Sequence, residues 1–156
     1  MNKALVINYM EYASVEELPL SDRELMQRAV EAAQGAYAPY SGFHVGAALR
    51  LADGTVETGS NQENAAYPSG LCAERTALFS ASSRRPELRD YETLAIVGVD
   101  SSGRQCEASP CGACRQVMAE YEQHQRHPMR VLCYVSKTCI RVFGSVADLL
   151  PFGFHF

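Results

Sequence analysis

His44-Val45-Gly46-Ala47-Ala48-Leu49-Arg50-Leu51-Ala52-Asp53-Gly54-Thr55-Val56-Glu57-Thr58-Gly59 is the stretch that decides the fold. Residues 44–51 have the length and apolar character of a strand. Asp53-Gly54 is a hairpin turn signal, and residues 55–59 make the returning partner. The small residues at 46–48 let another element approach closely. Upstream, Gly35 to Gly42 reads as a loop around Pro39 and Ser41. Before it, Leu25, Met26, Ala29, Val30 and Ala33 recur at helical spacing, and Ser21 followed by Glu24 has the form of a capping box. A helix is therefore expected over about 22–34, preceded by a short strand at 3–9. Downstream, Asn61 to Gly70 is a polar loop. A helix follows at about 72–82, then strands at 93–99 and 130–135 on either side of a helix that begins at Cys111-Gly112-Ala113-Cys114. A short strand at 139–143 and a brief helix over 145–150 complete the pattern. Strands alternating with helices point to an α/β sandwich.

The 156 residues suit one domain, with residues 1–20 as an N-terminal extension and 21–156 as the core. A net charge of −4, with no basic stripe, argues against unaided binding to a nucleic-acid polymer. No apolar run reaches the ~20 residues of a membrane span. Residues 1–9 lack the pattern of a signal peptide, so a cytoplasmic location and reduced cysteines are expected. The acidic residues of the first 34 positions, Glu11, Glu16, Glu17, Asp22, Glu24 and Glu31, read as a solvated face.

Cysteine spacing carries the chemistry. Cys111 and Cys114 alone are compatible with half a metal site, a thiol redox pair or two buried cysteines. Cys72 is a third cysteine at an expected helix start. Two facing helix N-termini can bring Cys72, Cys111 and Cys114 to one tetrahedral zinc and leave the fourth position to water, as catalytic zinc requires. A closed structural zinc site is the non-catalytic alternative. A zinc held by three thiolates carries excess negative charge, which helix N-termini and a nearby guanidinium offset. Arg75 is favoured over Arg115 for that role. Glu74, two residues beyond Cys72, is placed to take a proton from activated water and return it to substrate.

These blocks resemble the small, zinc-dependent cytidine deaminases. The resemblance rests on Ala36-Tyr37-Ala38-Pro39-Tyr40-Ser41-Gly42-Phe43-His44-Val45-Gly46-Ala47-Ala48-Leu49, Gly59-Ser60-Asn61-Gln62-Glu63-Asn64-Ala65, Cys72-Ala73-Glu74-Arg75, Pro110-Cys111-Gly112-Ala113-Cys114-Arg115-Gln116, and Leu149-Leu150-Pro151 followed by Phe154. It implies a three-layer α/β/α sandwich around a mixed central sheet, one Zn²⁺ per chain on Cys72, Cys111 and Cys114, and proton transfer by Glu74. It further implies that Asn61 and Glu63 bind the ribose hydroxyl, that Phe43 packs on the nucleoside, and that the Ala73 backbone contacts the pyrimidine. Tyr67 and Phe154 would reach a neighbouring subunit's pocket in a homotetramer with composite sites. The implied activity is hydrolytic deamination of cytidine and deoxycytidine, a step of pyrimidine salvage. A deaminase of another aminopyrimidine or aminopurine compound, such as a blasticidin-type antibiotic, is the alternative within the same fold.

Overall fold

The computed structural model describes residues 1–155. A seven-stranded mixed sheet organises the chain: β1 (Tyr9–Tyr12), β2 (His44–Leu51), β3 (Val56–Ser60), β4 (Tyr91–Val99), β5 (Gln105–Cys106), β6 (Arg130–Ser136) and β7 (Cys139–Phe143). The main path runs β1-β7-β6-β4-β2-β3, with β5 beside β4. β4 and β6 are parallel, and the helix between them makes the crossover such a pair requires. The remaining strand pairs are antiparallel.

Side-chain alternation along the strands divides the core between two faces. Ala47, Leu49, Leu51, Leu94, Ile96, Val131 and Cys133 pack with α2 (Ala73–Arg84) and α3 (Gly112–Gln125). Ala48, Ala95, Val97, Leu132, Ile140 and Val142 pack with α1 (Leu20–Ala33) on the other face. The outcome is the three-layer arrangement, with α2 and α3 on the same side so that their first turns can meet.

The hairpin turns as expected. Gly54 takes φ +84°, which a side chain would resist, and Leu51 N donates to Thr55 O at 2.8 Å. The helices lie against the sheet at backbone distance. A Cβ built on Gly46 would fall 1.8 Å from Ala29 O of α1, and one on Gly59 2.4 Å from Ala77 N of α2.

Several sequence expectations are corrected. α1 begins at Leu20 with Pro19 as its N-cap and no side-chain cap, so Ser21 lies inside the helix and the Ser21–Glu24 capping box does not form. Pro19 O accepts from Asp22 N and Arg23 N instead. The strand expected over 3–9 lies later, at Tyr9–Tyr12, because its pairing partner is β7. The two-residue β5 is too short for its sequence to announce.

Asp22 does not belong to the solvated acidic face. It is 1% exposed and receives Arg130 at 2.7 Å and Arg50 at 3.0 Å. Burial alone would raise its carboxyl, but the hydrogen bonds from Arg130 and Arg50 outweigh that and hold it below its ordinary value. Asp22→Asn is therefore expected to cost about 3 kcal/mol at pH 7, the lower end for a broken buried pair because Arg130 still reaches water. The ionised carboxylate contributes stability above its unfolded value near ~3.9, and the contribution is lost as pH falls through the lower folded value. Denaturant melts should therefore show the gap at pH 7 and its narrowing below about pH 4. Equal stability of the two proteins at pH 7 would show that this cluster does not hold α1 to the sheet.

Candidate functional site

Cys72 is the N-cap of α2 and Cys111 the N-cap of α3, so both helices begin one residue after a cysteine. Cys114 lies in the first turn of α3 and is fully buried. Cys72 Sγ and Cys111 Sγ are 3.8 Å apart, Cys111 Sγ and Cys114 Sγ are 3.5 Å apart, and all three sulfurs lie within 4.8 Å of one another. Zinc–sulfur bonds of about 2.3 Å at tetrahedral angles put neighbouring sulfurs about 3.8 Å apart, so the trio fits a zinc ion. Among the described residues no fourth cysteine, histidine or carboxylate completes the group. The cluster can therefore coordinate a metal with three thiolates and leave one position to a non-protein ligand. Cys106, Cys133 and Cys139 lie outside it.

The electrostatics follow from the crowding of three sulfurs. The Cys114 thiol donates to Cys72 and lowers its pKa to about 5; burial opposes this, and Arg75 reinforces it. The same sharing pushes Cys114 strongly upward. Arg75 Nη2 stands 3.8 Å from Cys72 Sγ, while its buried Nε has no protein partner. Arg115 is occupied elsewhere. Its Nε donates to Pro110 O at 2.7 Å and its Nη1 to Leu149 O at 2.9 Å, binding the cysteine loop to the C-terminal segment.

Glu74 is the second residue of α2 and only 3% exposed. Burial, with the negative charge of Cys72 behind it, pushes its carboxyl up to about 7 against an opposing backbone hydrogen bond. Glu74, Cys72 and Cys111 line a cleft of about 400 Å³ together with Phe43, Asn61 and Glu63. A carboxyl near neutrality beside a metal-binding trio can both accept and release a proton.

The loop residues are already at work within the fold. Asn61 Oδ1 accepts from Val45 N at 2.7 Å, and its Nδ2 donates to Phe43 O at 2.9 Å. Glu63 accepts from Tyr40 N at 2.9 Å, from Ser41 N at 3.2 Å and from the Ser41 hydroxyl. Even so, each keeps capacity for one more partner: a second amide proton on Asn61 and a spare carboxylate lone pair on Glu63. An adjoining cavity of about 490 Å³ shares Ser41, Asn61, Glu63 and Cys72 and adds Tyr67 and Arg75.

Two of the expected residues stand apart from these cavities. Ala73 is fully buried beneath the start of α2. Phe154 lines neither cavity; its carbonyl accepts from Gln116 Nε2 at 2.9 Å, which ties the tail to α3. Phe156, the last of the apolar tail, lies outside the described residues. The sequence reading missed Ser41 as the support of Glu63, and Val45, Ile96, Glu107, Ala108 and Ser109 in the cleft wall. Ser109 is next to Pro110-Cys111, so its nearness to the motif was the available signal. Val45 and Ile96 come from β2 and β4, and their place depends on strand pairing.

The family model described as the cytidine and deoxycytidylate deaminase zinc-binding region matches residues 19–128. A cytidine deaminase of Halalkalibacterium halodurans is 51% identical over 100 residues, covering 64% of this chain and 71% of that protein. One of Mycobacterium tuberculosis is 43% identical over 112 residues, covering 68% of this chain and 77% of its own. Among solved structures, cytidine deaminase from Burkholderia pseudomallei superposes with a TM-score of 0.72 at 43% identity, over 84% of this chain and 97% of that one. The Mycobacterium tuberculosis enzyme gives a TM-score of 0.64 at 34% identity, over 88% of this chain and 100% of that one.

Proposed function

We propose that this chain, which belongs to the cytidine and deoxycytidylate deaminase family, hydrolyses cytidine and deoxycytidine to uridine and deoxyuridine with release of ammonia, in pyrimidine salvage. The observation that carries the reading is a nearly fully buried Glu74 in the same cleft as a zinc-sized trio of sulfurs.

Cys72, Cys111 and Cys114 would hold a zinc ion, which when bound would supply a Lewis acid that lowers the pKa of water. Glu74 takes the proton of the attacking water and hands it to N3 of the pyrimidine as the oxygen bonds to C4. It then takes the remaining hydroxyl proton to the departing amino group, which leaves as ammonia. The low exposure of Glu74 keeps bulk water from competing for that proton. Arg75 offsets the surplus negative charge of the thiolates. Asn61 and Glu63 use their remaining hydrogen-bonding capacity on the ribose hydroxyl, Phe43 packs on the nucleoside, and the Ala73 backbone contacts the pyrimidine. A net charge of −4 favours free nucleosides over polymers. Six free cysteines suit the reducing cytoplasm, and among the described residues no helix is long and apolar enough to cross a membrane.

The paired test is zinc content per purified chain together with ammonia release from cytidine, deoxycytidine and a blasticidin-type nucleoside. Zinc binding with no turnover of any of the three would favour a structural zinc protein. Turnover confined to the antibiotic would move the substrate and leave the chemistry.

The active unit in this reading is a homotetramer with shared sites. Tyr67 is 82% exposed at the rim of its own cavity, and Phe154 lies outside the cavities of its own chain. In this reading both meet a neighbour. Phe154→Ala is expected to raise KM while zinc content stays the same, because a ring contact to the nucleoside is lost. Dilution to monomers should abolish turnover. Kinetics run beside light scattering over a concentration series check both; a fully active monomer would break the shared-site reading.

A further inference from the structure

The two edges of the sheet are of opposite character. At the β3 edge Glu57 is paired with Arg84 at 3.4 Å, and the strand Val56-Glu57-Thr58-Gly59-Ser60 is largely polar, a composition that discourages further strand addition. At the β1 edge, Leu5, Val6, Ile7, Tyr9 and Met10 are all exposed, Val6 to 75%. Lys3-Ala4-Leu5-Val6-Ile7-Asn8-Tyr9-Met10-Glu11 contains neither proline nor glycine. β7 pairs with β1 no further back than Tyr9, which faces Phe143, so residues 3–8 run past the end of their neighbour. Residues 3–8 form no strand within the chain, and an apolar segment that leads directly into an edge strand is a template for another strand.

The run is also complementary to itself. Laid antiparallel on an identical run with Ile7 opposite Ile7, it sets Leu5 against Tyr9, Ala4 against Met10, Val6 against Asn8, and Lys3 against Glu11. The symmetry forms each of those pairs twice. Lys3 is the one Lys or Arg before Arg23, so no other register of residues 3–11 puts a Lys or Arg side chain opposite Glu11. A slip of one residue would also exchange the faces of every side chain. Glu11 is already fixed on β1 by Arg141 at 2.9 Å, and the Tyr9 ring by Phe143 at 5.6 Å between centroids. One member of each of the Leu5–Tyr9, Ala4–Met10 and Lys3–Glu11 pairs is therefore held on β1 before a partner arrives.

We propose that residues 3–11 pair antiparallel with the same residues of a second copy of this chain, about a two-fold axis at Ile7, joining two sheets edge to edge. Ile7→Lys sets two ammonium groups opposite each other. Sedimentation velocity at matched concentration is expected to show the particle mass falling at least twofold, with the circular dichroism spectrum of the folded chain unchanged. Lys3→Glu turns two attractive cross-strand pairs into repulsive ones and should weaken association about tenfold. In the full-length chain, Ile7→Cys should give a disulfide between two arm peptides under mild oxidation, identified by peptide mass. Met10→Cys should not, because residue 10 faces Ala4. An unchanged mass for Ile7→Lys, or cross-linking no faster at position 7 than at position 10, would overturn the pairing.

Discussion

Glu74→Gln is expected to leave the fold and zinc content intact while lowering turnover of cytidine by at least about 10²–10⁴-fold, the usual loss when general acid–base catalysis is removed. The amide has nearly the shape of the carboxyl it replaces, so the packing of this 3%-exposed side chain at the start of α2 is kept. What disappears is the ability to take a proton and give it back. Losing it should reduce kcat and kcat/KM together, because the proton is in flight only in the transition state. Steady-state kinetics beside elemental analysis separate this from a lost metal. Wild-type kcat in a fully zinc-loaded Glu74→Gln protein would remove Glu74 from the chemistry.

The largest effects are expected at the sulfurs. Ala at Cys72, Cys111 or Cys114 leaves two thiolates where three would hold the metal. Each variant should lose zinc on purification and show no measurable turnover. Ala at Cys106, Cys133 or Cys139 should keep both. Cys133 is buried, so its replacement should cost about 1 kcal/mol of stability without touching the metal. Full zinc retention in all three variants of the first set would refute the assignment, and zinc loss in the second set would enlarge it.

Strands β2 and β7, and the helices that follow Cys72 and Cys111, were legible because their signals are local: apolar runs of strand length and small residues at helical spacing. The metal trio was legible for the same reason, since each cysteine sits at a helix start that its neighbours announce. Asp22 was not. Its environment is made by Arg50 on β2 and Arg130 on β6, and no window around residue 22 contains either. The position of β1 failed similarly, because residues 3–8 are as apolar as a strand but have no β7 residues alongside. Asn61 and Glu63 show a third kind of limit. The sequence suggests polar loop residues, yet their hydrogen bonds to residues 40–45 depend on how two distant loops meet.

The backbone contact at Gly59 has a consequence for how this protein tolerates mutation. Ala73 O lies 2.5 Å from where a Cβ on residue 59 would stand, and Ala73 is the residue between Cys72 and Glu74. Every single-base change that replaces this glycine puts a carbon there and pushes the first turn of α2 off the sheet. That displacement shifts Cys72 and Glu74 relative to Cys111 and Cys114, which ride on a different helix. In a library of random variants, inactive clones should therefore gather at a residue with no ionisable group and no role in proton transfer, while exposed charged positions such as Arg104 accumulate changes freely.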